Sequence, residues 1–165
     1  MMSRWRVAST LAVVALFVAP VGAQQTHILV LTGLSGDPAY AEQFHTWATT
    51  LVDAATERYE LPAEQVTYLG EKTTVDPERV DGRSTRENVE QAFRDIADQA
   101  QPNDHVLVLL IGHGSYNSGE SRFNLPGRDL TAKDYALLLD LLSAQQVTFV
   151  NTATSSGGFI EVLSG

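Results

Sequence analysis

The stretch from Asn103 to Ser115 reads NDHVLVLLIGHGS, an apolar run that leads into one histidine, His113, between two glycines. An uninterrupted apolar run of this kind is typical of a strand buried on both faces of a sheet. A second apolar run, Val147 to Asn151, leads into small residues, many with hydroxyl groups, from Thr152 to Gly158. The two runs therefore place a candidate base and candidate nucleophiles at the ends of two predicted strands.

Outward from these runs, strand and helix signals alternate along the chain. His27 to Gly33 and Val66 to Leu69 are apolar and predict two more strands, while three segments with apolar residues at three- and four-residue spacing predict helices. The predicted caps are Asp37 with Pro38 in the first turn, a capping box at Ser84 to Glu87, and another at Thr131 to Asp134. The predicted buried faces are Tyr40, Phe44, Trp47, Leu51 and Ala55; Val89, Phe93, Ile96 and Ala100; and Tyr135, Leu138, Leu139 and Leu142.

This alternation predicts an α/β fold with a mainly parallel sheet covered by helices on both faces. Gly70 to Arg83 is expected to be an exposed loop, and Phe123 to Asp129 a small hairpin or loop. Because the carboxyl ends of parallel strands lie at one edge of a sheet, we expect Ser35, His113 and Thr154 or its neighbours at a common edge.

The N-terminus has the pattern of a secretory signal peptide. Arg4 and Arg6 precede the apolar run from Leu11 to Ala19, and Val21 to Ala23 supplies the small residues of a cleavage site. The run is well short of the ~20 residues that span a bilayer, so no stable membrane span is expected. We therefore predict that residues 1–23 are a signal peptide and that residues 24–165 are exported to the periplasm or the extracellular space.

Charge and cysteine content exclude several function classes. The chain has 11 basic and 20 acidic residues, and loss of Arg4 and Arg6 on cleavage would change its net charge from −9 to −11. Such an acidic domain is a poor partner for nucleic acid. The chain contains no cysteine, which excludes disulfides and thiol chemistry.

His113 is the histidine best placed for chemistry. It follows a buried strand, and flanking glycines would let the backbone turn sharply and leave the imidazole uncovered. The other histidines, at positions 27, 45 and 105, are interpreted as structural. Glu120 and Asp129 are near His113 in sequence, but their spacing matches no compact ligand set, so no metal is expected.

The remaining polar turns have more than one interpretation. Gly33 to Gly36 lacks both the Walker lysine and the dinucleotide glycine spacing, so no cofactor is expected. Thr152 to Gly158 could arrange backbone N–H groups as an oxyanion hole, or could be a flexible turn. A serine or threonine nucleophile also needs a base that a third group orients. The sequence pattern indicates no acidic residue as the group that would orient His113.

The pattern resembles the caspase-like fold of the legumain-type cysteine peptidases, in a clan with caspases, metacaspases and gingipains. In that group one strand ends in a His-Gly pair, and the next ends in a small residue, the nucleophilic Cys and a Ser-Gly turn. Asp104 to Ser115 is similar to the histidine strand, Phe123 to Asp134 to the segment that leads into the next helix, and Val147 to Gly157 to the nucleophile strand. The resemblance covers about residues 27–165 and implies a three-layer sandwich.

The same resemblance implies roles for individual residues. His113 takes the place of the catalytic histidine, and Gly114 that of an oxyanion N–H donor. The cysteine position falls on Thr154, and Ser35 falls near the polar residue that helps to orient the histidine. The chain ends at Gly165, soon after the fourth predicted strand, so residues 24–165 are expected to be an incomplete, truncated version of this domain.

Three functional hypotheses follow. The leading one is an exported pseudopeptidase in which Thr154 replaces the thiol, and which binds a peptide or protein or acts as a scaffold. The alternative is a hydrolase that uses Ser155, Ser156 or Thr154 with His113 as general base. The third is an unrelated α/β binding domain that shares only the architecture.

Overall fold

A computed structural model describes residues 23–164, so the predicted signal peptide lies outside the described residues except for Ala23. A π-helical turn, Ala54–Arg58, extends the first helix, and a 3₁₀ turn, Ala63–Gln65, precedes the second strand. The strands and helices are β1 (Thr26–Thr32), α1 (Pro38–Asp53), β2 (Val66–Gly70), β3 (Gly82–Arg83), α2 (Arg86–Gln99), β4 (His105–Ile111), β5 (Gly114–Asn117), β6 (Glu120–Phe123), β7 (Leu130–Thr131), α3 (Ala132–Asp140), β8 (Gln146–Asn151) and α4 (Gly157–Leu163).

The main sheet has the strand order β3-β2-β1-β4-β8, and every neighbouring pair is parallel. One face packs against α1, and the other packs against α2, α3 and α4. The predicted α/β class, with a parallel sheet between helices, is therefore confirmed. The carboxyl ends of β1, β4 and β8 lie at one edge, as the strand alternation predicted.

The central strands are apolar throughout because they are buried on both sides. Leu29 and Leu31 of β1 pack with the core of α2 and α3, while Ile28 and Val30 pack with the core of α1. Alternate side chains of a strand point to opposite faces, so a strand between two helical layers needs apolar residues at every position.

The prediction that both faces are fully covered is wrong for the β4–β8 end of the sheet. On the α1 side, Leu109 is only half-buried and Val150 is 38% exposed. Tyr40 and Trp47, which were predicted to be buried, are 47% and 50% exposed. The reason is positional: α1 covers β1 and β2, and no other helix between residues 23 and 164 packs on that face.

A second, antiparallel sheet of order β5-β6-β7 follows the histidine strand. Ser118 and Gly119 connect β5 and β6 with φ angles of 53° and 82°, which suits a two-residue hairpin turn. The expected hairpin or loop at Phe123 to Asp129 is confirmed, because residues 124–129 form the loop that joins the antiparallel strands β6 and β7. The predicted loop Gly70 to Arg83 also contains β3 and the buried Val80, so it is not wholly exposed.

The helix caps agree with the predictions in two of three cases. The Asp37 side chain accepts a hydrogen bond from the Ala39 N–H, and Thr131 and Asp134 form the predicted capping box. The box at Ser84 to Glu87 is wrong, because Thr85 caps α2. Ser84 is instead fully buried, and its hydroxyl donates to the Thr32 carbonyl at 2.6 Å.

None of the helices formed by residues 23–164 combines the length and the apolar character that a bilayer crossing requires.

An ion pair connects α2 and α3, which pack on the face of the sheet opposite to α1. Arg86 of α2 donates to both carboxylate oxygens of Asp134 on α3, at 2.6 and 3.2 Å, and to Glu90 at 2.8 Å. Partial burial would raise the pKa of Asp134, but the Arg86 guanidinium and the hydrogen bonds from Thr131 outweigh it and lower the pKa from 3.8 to about 2.

This pair makes the fold sensitive to acid. Because the pKa of Asp134 is lowered on folding, its contribution to stability is complete above pH 4 and is lost as the pH falls towards 2. We expect Asp134→Asn to lower the free energy of unfolding at pH 6 by up to about 2 kcal/mol and to flatten its pH dependence below pH 4. Urea titrations followed by circular dichroism measure both.

Asp140→Asn, at an exposed position of the same helix, is the matched control. It should leave the fall in unfolding free energy below pH 4 unchanged. A loss of unfolding free energy below pH 4 that is as large in Asp134→Asn as in the wild type would contradict the assignment of this acid sensitivity to Asp134.

Candidate functional site

The candidate site is a groove at the carboxyl edge of the sheet, beside the N-terminal half of α1. His113 follows β4 and Thr154 follows β8, and both residues line this groove. The groove has a volume of about 610 Å³. Its other lining residues are Tyr40, Phe44, Trp47, Leu109, Ile111, Gly112 and Thr152.

The His113 imidazole packs edge-on against two aromatic rings. Its centroid lies 4.9 Å from that of Tyr40 and 5.3 Å from that of Phe44. The ring is therefore half-buried rather than uncovered. Within residues 23–164, neither imidazole nitrogen of His113 has a hydrogen-bond partner or a carboxylate within 4.0 Å, so no protein group orients the ring as a base.

Thr154 is bonded to the backbone of Gly114. The Gly114 N–H donates to the Thr154 hydroxyl at 3.0 Å, and that hydroxyl donates to the Gly114 carbonyl at 2.9 Å. The residue predicted as nucleophile and the one predicted as oxyanion donor are thus paired with each other. The threonine proton is directed at a carbonyl and not at His113.

The glycines around His113 are required by close packing rather than by backbone conformation. A Cβ at Gly112 would lie 3.0 Å from the Phe123 ring, and one at Gly114 would lie 2.8 Å from the Arg122 carbonyl and closer still to that of Thr154. Neither glycine has a positive φ angle. The sharp turn that was predicted as their reason is therefore not the constraint.

The other predicted site residues lie elsewhere. Ser155 has a φ of 58° and is exposed, and Ser156 is the N-cap residue of α4; neither lines the groove with His113. Ser35 is buried, and its hydroxyl donates to the Glu71 carboxylate at 2.6 Å. This contact places Ser35 in a separate cleft of about 490 Å³, so it does not orient His113 here.

A second polar cluster, which the sequence interpretation missed, borders that separate cleft. His45 Nδ1 lies 3.1 Å from the Tyr68 hydroxyl, and His45 Nε2 lies 3.6 Å from the Asp76 carboxylate. Burial raises the pKa of Tyr68 despite a hydrogen bond with Thr32. Desolvation would raise the pKa of Asp76, but the Arg79 guanidinium lowers it.

His45 was interpreted as structural, and this cluster supports that view in part. It attaches the segment that contains Asp76 to α1, and Arg79 reinforces the attachment by binding Asp53 at 2.8 Å. The only feature of the sequence that could have indicated this cluster is a histidine on a predicted helix, because Asp76 lies in a stretch without periodicity.

No group of three or more histidine, aspartate or glutamate residues that could hold a metal ion occurs in the described part of the chain. Glu120, which had been considered as a ligand, instead pairs with Lys133 at 3.0 Å.

No family model matches the chain, and no curated protein matches it significantly. The interpretation of this site therefore depends on its own geometry.

The packing at Gly114 can be tested directly. We expect Gly114→Ala to lower the free energy of unfolding by about 1–3 kcal/mol, because the added Cβ would press against the carbonyls of Arg122 and Thr154. Chemical denaturation measures the change. Gly157→Ala is the matched control: nothing lies within 4 Å of its Cβ, and alanine favours helix, so this variant should be at least as stable as the wild type.

A Gly114→Ala protein as stable as Gly157→Ala would show that β5 and the segment after β8 are not in tight contact.

Proposed function

We propose that the chain is an exported domain with the caspase-like fold of the legumain-type peptidases, that it has lost their peptidase activity, and that it binds a peptide or protein. One observation carries this proposal. The hydroxyl of Thr154 occupies the position beside the Gly114 N–H, next to the His113 groove, where a nucleophilic thiol would be expected.

The hydrogen bonds of Thr154 argue against catalysis. An alcohol has no ionised form near neutral pH that compares with a thiolate, so it requires a hydrogen-bonded base. Here the Thr154 hydroxyl donates to the Gly114 carbonyl, and among residues 23–164 no carboxylate lies within 4.0 Å of the His113 ring nitrogens to orient it. The Gly114 N–H is also occupied, and a substrate carbonyl would have to displace the threonine oxygen from it.

No observation favours the hydrolase alternative with the neighbouring serines. Ser155 and Ser156 lie outside the groove that contains His113, and a base must be within hydrogen-bond reach of its nucleophile.

The groove supports a binding role. Its walls are mainly aromatic and aliphatic, and two of its aromatic side chains, Tyr40 and Trp47, are about half-exposed to solvent. Concave apolar surfaces with a few polar groups are typical of ligand sites. We propose a peptide or protein as the ligand.

The proposal predicts that a thiol at position 154 restores covalent reactivity. We expect Thr154→Cys to be alkylated by a peptidyl acyloxymethyl ketone, and the additional change His113→Ala to slow that reaction, as intact-protein mass spectrometry would measure. Thr152→Cys is the matched control, because Thr152 lines the same groove but bonds to the Leu110 carbonyl. It should react with iodoacetamide but only slowly with the ketone.

Equal ketone reactivity at positions 152 and 154 would remove the support for a peptidase-like site. Labelling of the wild-type protein by a fluorophosphonate, abolished by His113→Ala, would establish the hydrolase alternative instead.

Export is tested at the N-terminus. We expect the chain expressed in an export-competent bacterium to begin at Gln24, because Val21 and Ala23 match a signal peptidase site. Mass spectrometry of the extracytoplasmic protein checks this. Ala23→Leu should prevent cleavage at this bond, and a mature protein that retained Arg4 and Arg6 would contradict the prediction.

A further inference from the structure

The cleft that contains Ser35 adjoins a smaller cavity of about 70 Å³. The cleft itself, of about 490 Å³, lies between the turn after β1, the N-terminal half of α1 and the segment after β2. The residues that line both spaces are Ala41, His45, Glu71, Lys72 and Val75. Every lining residue lies between positions 32 and 75, so the first half of the chain forms the cleft and the cavity.

Buried hydroxyl groups line the smaller cavity. Thr32 and Tyr68 are both buried, and their side-chain oxygens lie 3.4 Å apart, which is long for a hydrogen bond between hydroxyls. The Tyr68 hydroxyl also lies 3.1 Å from His45 Nδ1, while Asp76 lies on the Nε2 side of the ring. A neutral imidazole with its proton on Nε2 accepts the Tyr68 proton, which leaves the phenol oxygen able to accept a hydrogen bond from a ligand.

Glu71 contributes a carboxylate with a fixed orientation. Its Oε2 atom accepts hydrogen bonds from the Ser35 N–H at 3.1 Å and from the Ser35 hydroxyl at 2.6 Å. Its Oε1 atom accepts no hydrogen bond from any residue between 23 and 164. One oxygen of a positioned carboxylate is thus available to a ligand, and positioning before binding lowers the entropic cost of association.

Charge favours a cation in this cleft. Glu71, Glu42 and Asp37 line it, and Lys72 is the only lysine or arginine that the described part of the chain contributes to the lining. The whole chain has a net charge of −9. Because the effective dielectric constant is lower in a cleft than in bulk water, these carboxylates attract a cation more strongly there and oppose an anion.

The wall formed by residues 71–75 is anchored to α1. Asp76 lies 3.6 Å from His45, and Arg79 binds Asp53 at 2.8 Å. Val80, which follows, is buried in the core beneath α1. The cleft is therefore largely formed before a ligand arrives, as is usual for small-molecule sites.

We propose that the cleft and the adjoining cavity bind a primary alkylammonium group, the side chain of a lysine in a peptide ligand. An ammonium group has three N–H donors, and Glu71 Oε1, the Tyr68 hydroxyl and the Thr32 hydroxyl are three acceptors in one small space. The alkyl chain would lie along Ala41 and Val75. This site lies apart from the His113 groove, so the inference goes beyond the proposed function and does not depend on it.

The size of the cavity favours lysine over arginine. A volume of about 70 Å³ holds roughly two groups the size of a water molecule. A compact ammonium group suits this space, whereas the planar guanidinium of arginine is wider and needs acceptors in a fork arrangement. We therefore expect a preference for lysine.

The experiment uses the exported chain, labelled with ¹⁵N, and a capped Gly-Lys-Gly peptide. We expect saturable shifts of the Ser35, His45 and Glu71 amide signals. The same peptide with norleucine in place of lysine has an equally long side chain without the ammonium group, and it should bind at least about tenfold more weakly. The arginine peptide should also bind more weakly. Pentane-1,5-diamine, as a free alkylamine, separates a peptide ligand from a small metabolite.

Three variants and one control locate the site. Glu71→Gln should weaken binding of the lysine peptide about tenfold, and Tyr68→Phe about threefold, because each removes an acceptor of the ammonium group. Lys72→Met should strengthen binding about threefold, since it removes the like charge from the lining. Glu78→Gln is the matched control: Glu78 is exposed on the same segment outside the cleft, and its loss should leave binding unchanged.

Several results would overturn the proposal. Absence of saturable binding by the folded wild type would remove it, and so would equal binding of the norleucine peptide. Equal weakening by Glu78→Gln and Glu71→Gln would show only a general attraction to an acidic protein. A diamine that binds at least about tenfold more tightly than the peptide would assign the site to free amines instead. None of these results bears on the reaction of Thr154→Cys with the ketone, so the proposed function is tested separately.

Discussion

The contact between Gly114 and the backbone of Thr154 is the constraint on which the candidate site depends. It joins the segment after β4 to the segment after β8, and two hydrogen bonds with the Thr154 side chain reinforce it. Phe123 fills the space beneath Gly112 and thereby fixes the start of the small antiparallel sheet. The histidine lies between these contacts, so its position follows from packing on both sides.

Much of the fold was predictable because its signals are local. The apolar runs of β1, β4 and β8 reflect the burial of these strands in the sheet. The caps of α1 and α3 require particular side chains at particular positions. The placement of His113 and Thr154 at one edge followed from parallel topology alone. These inferences needed no knowledge of long-range contacts.

The parts that could not be predicted depend on contacts between distant segments. Tyr40 and Trp47 have helical spacing, but their exposure depends on where α1 crosses the sheet. The His45–Asp76 contact joins a helix to a segment without periodicity. The hydrogen bonds between Thr154 and Gly114 depend on the positions of individual atoms, which no sequence pattern indicates. These bonds decide whether the Thr154 hydroxyl is available for chemistry.

The asymmetric covering of the sheet also has a consequence for local stability. Within residues 23–164, β8 pairs with one strand and has one well-covered face. Elements with few neighbours exchange their amide hydrogens through low-energy local opening. Thr154 follows this strand directly, so each opening event would loosen its hold on Gly114. A ligand that binds the native form of the groove beside β8 would make such opening rarer, and it would thereby stabilise the contact between Thr154 and Gly114.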